Sequence, residues 1–271
     1  MKRIFFMLLV LIVGMVAFGS VIVVYAHTPH VAAAMPTPTP LPLNNWVDRQ
    51  ATVEPQIRSS VISQGNADLP EVALTFDDGP SPLFTPQILA ILQKYHVHGT
   101  FFTVGENVQN YPDLVQQEQS DGNVVANHSW DHPDLTTLAN TDIQTQLSNT
   151  SNVIQQATGT PPTFFRPPYG AIDSKVLAQA KTLGLTPVLW SVDTEDWQRP
   201  GSRAIVNTAL TQTSNGSIVL MHDSGGDRSQ TVAALAMIIE GLQQRGYQLV
   251  TIQQLYNHIP RVGSASSTTA A

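Results

Sequence analysis

Short apolar runs alternate with helix-period segments along most of this chain, and that alternation restricts its fold more than any other feature of the sequence. Val72 to Phe76 precedes a helical pattern from Pro86 to Tyr95, Thr100 to Val104 precedes Tyr111 to Gln119, and Val124 to Ala126 precedes Ile143 to Ala157. Thr163 to Phe165 then precedes Lys175 to Leu183, Pro187 to Val192 precedes Ala204 to Thr213, and Ile218 to Met221 precedes Val232 to Arg245. Gln248 to Thr251 closes the series. Six or seven strand-then-helix units in about 190 residues predict a parallel sheet with crossover helices. Periodicity leaves two forms open, a closed barrel and an open doubly wound sheet. With 271 residues, 42% of them hydrophobic and 12% charged, the chain carries enough apolar side chain for one sizeable core.

Polar residues stand immediately after these apolar runs: Asp77 and Asp78 after VALTF, His128 after VVAN, Arg166 after TFF, Asp193 and Asp196 after PVLWSV, His222 after IVLM. The carboxyl ends of parallel strands meet on one face, so these distant residues are candidates for one pocket. Asp77-Asp78-Gly79-Pro80 is also an ordinary turn signal; two adjacent Asp serve one site only if the strand ends there, as Gly79-Pro80 would enforce. Adjacent carboxylates repel, and a cation would compensate. With no cysteine, a metal site must be built from His and carboxylate, which gives the eight histidines weight. His128 and His132, four apart in HSWDH, reach one ion if that segment makes a helical turn capped by Asn127. Together with Asp78 they supply two nitrogens and one carboxylate and leave positions open, the pattern of a catalytic site; zinc fits, as do cobalt, manganese and nickel. His27, His30, His96, His98 and His258 read as surface or helix-end residues, and Trp190 as core. Lys and Arg number 13 against 20 Asp and Glu, a formal charge of −7, which offers no basic stripe for nucleic acid.

The N-terminus addresses location. Lys2-Arg3 is followed by an uncharged apolar run from Ile4 to Tyr25, long enough for a spanning helix, so residues 1–26 read as a signal-anchor. Cleavage after Ala26 is the alternative, giving a secreted protein. The positive-inside rule puts residues 27 onward outside the cytoplasm in either case. Residues 27–68 read as a spacer, with Pro-Thr repeats between 31 and 44, residues 69–260 as the domain, and residues 261–271 as a disordered tail.

TFDDGP, HSWDH, RPPY (166–169), DTEDW (193–197) and LMH (220–222) resemble, in order, the five motifs of the polysaccharide deacetylases of carbohydrate esterase family 4, the NodB homology domain. The resemblance covers about residues 70 to 255, including GTFFTVGENV (99–108). It implies a distorted (β/α) barrel with fewer than eight complete units. It implies that Asp78, His128 and His132 hold a divalent metal, with Asp77 as general base toward the attacking water and Arg166 orienting Asp77. The backbone N–H of Tyr169 would face the oxyanion, His222 would protonate the leaving amine, and Asp196 would orient His222. Trp197 and Leu220, with Tyr169, would line the substrate pocket; Asp193 reads as a supporting or capping residue, with direct catalysis the alternative. The implied partner is an acetylated polysaccharide, with the membrane as a second partner if the N-terminus is uncleaved, and the protein is expected to be a monomer. One departure stands before His128, where relatives commonly carry a His near the start of the run and a Gly before the Asn; this chain reads GNVVAN. The anchor and spacer favour a substrate in the cell wall, peptidoglycan N-acetylglucosamine first and chitin-type oligomers second. O-deacetylation of a xylan-like polymer, or carbohydrate binding without catalysis, are the competing readings.

Overall fold

The computed structural model describes Ile57 and residues 59–260; the expected N-terminal helix, most of the spacer and the tail lie outside the described residues. Among the described residues no helix is long and apolar enough to cross a membrane.

The central strand β1 (Glu71–Asp77) is buried along its whole length because both of its faces are covered. Its odd-numbered residues Ala73, Thr75 and Asp77 line one face, and Val72, Leu74 and Phe76 the other. β2 (Thr100–Thr103), β3 (Val124–Asn127), β4 (Phe164–Phe165) and β5 (Thr186–Pro187) follow on one side of β1, each parallel to its neighbour. On the other side lie β7 (Ser217–His222) and then β6 (Val192–Asp193). β8 (Gln248–Val250) pairs with Glu71 to Ala73, below the stretch from Thr75 to Asp77 that β2 occupies. A flat row of these seven strands would put β5 and β6 about 29 Å apart at about 4.8 Å per strand. Only residues 188–191 connect them, which reach at most about 18 Å, so the sheet is curled. The single strand expected over 187–192 is thus a correction: the run divides into β5 and β6, which pair with opposite ends of the curled sheet.

Helices cover the outer face. α1 (Thr85–Lys94) carries a proline in its first turn, where no donor is lost. α2 (Gly105–Asn110) and α3 (Pro112–Ser120) follow β2, and α4 (Asn140–Thr158) ends at Gly159, whose φ of 76° closes the helix as few other residues can. α5 (Ser174–Thr182) is capped by the Asp173 carboxylate accepting from Val176 N, and α8 (Ile252–Asn257) by a Thr251–Gln254 capping box. α6 (Ser202–Gln212) and α7 (Ser229–Gln244) pack side by side. α7 buries Ala234, Leu235, Ile238, Ile239 and Leu242, a stripe of helical period that joins Val72, Leu74, Phe76, Val219 and Met221 in one cluster. Each buried Leu or Ile contributes about 1.5–3 kcal/mol. The inner face holds Ala73, Phe102, Ala126, Phe164, Trp190, Ile218 and Leu220, so Trp190 is core.

Residues before Leu69 also pack on the domain. Ile62 lies beside Val188 in a parallel bridge, and Gly65 N donates to Gly216 O at 2.8 Å.

Candidate active site

At the upper end of the sheet the strand ends bring seven of the candidate residues together. β1 ends at Asp77, and Asp78 takes φ 76°, which swings its carboxylate to the side its neighbour already faces. Asp78 Oδ1 lies 3.6 Å from His128 Nε2 and 3.4 Å from His132 Nε2, and ligand atoms of all three residues fall within 4.8 Å of one another. The expected helical turn through HSWDH is absent: the backbone bends instead, with Ser129 and His132 at φ 65° and 62°. Asn127 does not cap a helix there; its Oδ1 accepts from Ser129 N at 2.8 Å and its Nδ2 donates to Leu147 O at 2.8 Å. His128 Nδ1 lies 2.7 Å from Arg166 O, a pure acceptor, so Nδ1 donates there and Nε2 is the ring nitrogen turned to the carboxylates.

The protonation states suit a cation. Burial raises the Asp78 carboxyl, but the nearby His128, His132 and His222 hold it well below the usual range. Burial pulls His132 down to about 4, against the opposing pull of Asp78, so the imidazole is neutral at pH 7. Asp78 Oδ1 is buried with no hydrogen-bond partner among the described residues, an arrangement costly for a carboxylate unless a cation completes it. Two imidazoles and one carboxylate around that oxygen fit a divalent metal with positions left for water and substrate.

Asp77 is 3% exposed and bonds to a different partner. Arg166, 0% exposed, donates from Nη1 to Asp77 Oδ1 at 2.6 Å and to Thr75 Oγ1 at 2.9 Å. Its Nε and Nη2 donate to Val188 O and Leu189 O at 3.4 and 3.2 Å, and its guanidinium stacks over Phe102 at 4.1 Å. The remaining Asp77 oxygen stands 3.7 Å from His128 Nε2.

The last pair closes the pocket from β7. His222 Nδ1 lies 2.7 Å from Asp196 Oδ1, while Asp196 Oδ2 accepts from His222 N at 2.9 Å and from Thr231 Oγ1 at 2.7 Å. Burial lowers the His222 pKa, but the Asp196 charge and hydrogen bond, helped by Asp78 and Asp77, outweigh it and push it up to about 9. The imidazole is therefore protonated at neutral pH.

Around these groups, the Tyr169 ring packs edge-on against His132 at 4.6 Å, and Tyr169 has φ 59°. Its N–H has no acceptor among the described residues. Leu220 is buried two residues before His222 on the same face of β7, and Trp197 is half-buried beside Asp196. Asp193 Oδ1 caps the following turn by accepting from Glu195 N at 2.8 Å, and burial pushes its carboxyl up to about 6. Sequence reasoning passed over Thr75, which shares Arg166 with Asp77, and Thr231, which steadies Asp196. Thr75 is the polar residue two before Asp77 on the same strand face, a signal that was present; Thr231 gave none. It also passed over Gly225, φ 72°, where a Cβ would collide with the Asp78 carboxylate.

The polysaccharide deacetylase family pattern matches residues 64–188. The peptidoglycan-N-acetylglucosamine deacetylase PgdA of Listeria monocytogenes is 40% identical over 192 residues, 71% of this chain and 40% of its own length. The chain thus spans about two fifths of that relative. The chitooligosaccharide deacetylase of Sinorhizobium fredii is 37% identical over 208 residues, 73% of this chain and 96% of the relative. A crystal structure of a peptidoglycan N-acetylglucosamine deacetylase, 34% identical, superposes with a TM-score of 0.72 over 75% of this chain and 97% of its own. Sequence, curled sheet and converging strand ends agree: the chain belongs to the polysaccharide deacetylases of carbohydrate esterase family 4.

Proposed function

We propose that this protein is a divalent-metal-dependent N-deacetylase of N-acetylglucosamine-containing polysaccharide, with peptidoglycan the first substrate and chitin-type oligomers the second. One observation carries the reading: a ligand set of Asp78, His128 and His132 stands beside a separately held carboxylate, Asp77 on Arg166, and a separately held protonated imidazole, His222 on Asp196. Zinc fits the two imidazoles and the carboxylate best, and cobalt, manganese or nickel suit the same donors. When bound, the cation supplies Lewis-acid polarisation of the acetyl carbonyl and makes water acidic enough to attack near neutral pH.

The chain's own residues do the rest. Asp77 takes the proton of the attacking water, and Arg166 holds that carboxylate aimed. The free N–H of Tyr169 faces the oxyanion of the tetrahedral intermediate. His222, protonated at neutral pH, gives its proton to the amine nitrogen, which leaves poorly as an anion. Asp196 keeps His222 charged until that step. Trp197 and Leu220 exclude water around the small acetyl group. The products are acetate and a free amino sugar.

The charged-then-apolar run of residues 1–26, read as a signal-anchor or as a signal peptide cleaved after Ala26, supports an activity outside the cytoplasm, with the Pro-Thr segment as spacer, where a wall polymer is within reach. The names of the relatives support N-acetylated sugar polymers over acetylated xylan. The test is acetate release from peptidoglycan, chitin oligomers and acetylxylan before and after chelation. Release from an N-acetylglucosamine polymer, abolished by chelator and restored by zinc, is expected. Release from acetylxylan alone would overturn the substrate.

A further inference from the structure

Arg166 has four acceptors, and only two of them belong to β1. The other two are the carbonyls of Val188 and Leu189, in the four residues that join β5 to β6. Strand bonds reach only the ends of that stretch, Val188 N to Phe165 O at 2.8 Å and Ser191 N to Ile218 O at 3.0 Å, and leave the planes of its central peptides unfixed. What fixes them lies upstream of the domain. Ile62 N donates to Pro187 O at 2.9 Å, and Leu189 N donates to Ile62 O at 2.7 Å.

The geometry of a trans peptide makes this consequential, because its N–H and C=O point in opposite directions. The N–H of Leu189 and the carbonyl of Val188 belong to one peptide. When that N–H turns toward Ile62, the Val188 carbonyl turns away from it, toward Arg166 Nε. The preceding peptide is held at both ends as well, with Pro187 O taken by Ile62 and Val188 N donating to Phe165 O at 2.8 Å. Ile62 is itself fixed: 7% exposed, it packs with Val188, Trp190 and Leu255, and Gly65 is tied to Gly216 beneath β7.

We propose that Ile62 is a positioning residue, the centre of an N-terminal strap that seats Arg166 and through it aims Asp77. The strap touches neither substrate nor metal ligands. It acts on the rate of the proton-transfer step and leaves substrate affinity and metal affinity alone. This rests on the role given to Asp77 above.

The experiment uses the full chain. Ile62→Pro removes the N–H given to Pro187, and Ile62→Ala keeps both backbone bonds while removing side-chain packing. The expected result for Ile62→Pro is a fall in kcat of about tenfold, with KM and zinc affinity within about twofold of wild type. Ile62→Ala should melt at lower temperature, with a fall in kcat smaller than that of Ile62→Pro. In an Arg166→Gln background, Ile62→Pro should cost less than about twofold, because the group it acts through is already gone. Full additivity in that background, or an unchanged kcat for Ile62→Pro, would overturn the strap. Hydrogen exchange on the wild-type protein needs no variant to fold: the Leu189 amide should be as protected as those of β1, and rapid exchange would count against the proposal. Rates are read on an activated aryl acetate as well as on peptidoglycan. Loss of activity on the polymer alone then refutes the substrate reading and leaves the strap to be judged on the ester.

Discussion

Asp196 shows how one residue's surroundings set another's chemistry. Its carboxylate is buried, accepts from Thr231 and the His222 backbone, and spends its remaining oxygen on the His222 ring. The His222 pKa is raised above its ordinary value, so the acid form is present below about pH 9 and is lost as pH rises through that value. Asp196 is the main support of that raised value, ahead of Asp78 and Asp77. Replacing Asp196 with Asn removes that charge. The expected outcome is a basic limb of the kcat–pH profile displaced toward lower pH, with kcat at pH 8 reduced by about 10–100-fold. An unmoved limb would show that His222 is not the group that titrates. Thr231→Val removes one hydrogen bond to the same carboxylate and should cost about 1–3 kcal/mol of stability with a smaller displacement in the same direction, read by thermal melting and the same profile.

At the scale of elements, the site is made by how strands stop. Seven non-glycine residues among those described have positive φ, and six of them lie in loops after strands of the upper face: Asp78, Ser129, His132, Tyr169, Glu195 and Arg199. Each such conformation costs about 1–2 kcal/mol and persists because the surrounding bonds over-determine it. Gly225 completes the set from the loop after β7, where an added Cβ would collide with the Asp78 carboxylate. Gly225→Ala should therefore lower zinc affinity at least about tenfold while the fold survives at a cost of about 1–2 kcal/mol, measured by zinc titration and melting. Wild-type zinc affinity in that variant would mean Asp78 is not constrained from this side. These strand stops also explain what the sequence disclosed. The alternation of runs and the polar residue after each run are local, so the sheet class and the members of the pocket were legible. The bend through HSWDH was not, because spacing reports which residues can meet and says nothing of the left-handed Ser129 and His132 that bring them together. The break inside PVLWSV was equally hidden. No Gly interrupts it and only Ser191 is polar; the break comes from curling of the sheet and from Arg166 and Ile62 claiming its backbone. α2, with Gly105 and Val108 buried, and α8 are too short to show a period.

For the whole molecule, the metal site ties chemistry to stability. Asp78, His128 and His132 come from two separate strand ends, so they meet only in the folded chain, and a cation bound there stabilises the native state by mass action. Zinc at about one hundred times its dissociation constant should add about 2.7 kcal/mol. For a domain of this size that raises the melting temperature by about 5–10 °C, and chelation should reverse it. The strap, the curled sheet and the buried Arg166 then hold the base in register with a site it does not belong to. That division of labour is the central claim, and Asp77→Asn tests it most directly when zinc binding and acetate release from peptidoglycan are measured on the same full-length preparation. The account predicts zinc affinity within a few-fold of wild type and acetate release lower by about 10²–10⁴-fold. Zinc affinity lost to the same extent in Asp77→Asn as in Asp78→Asn would contradict it.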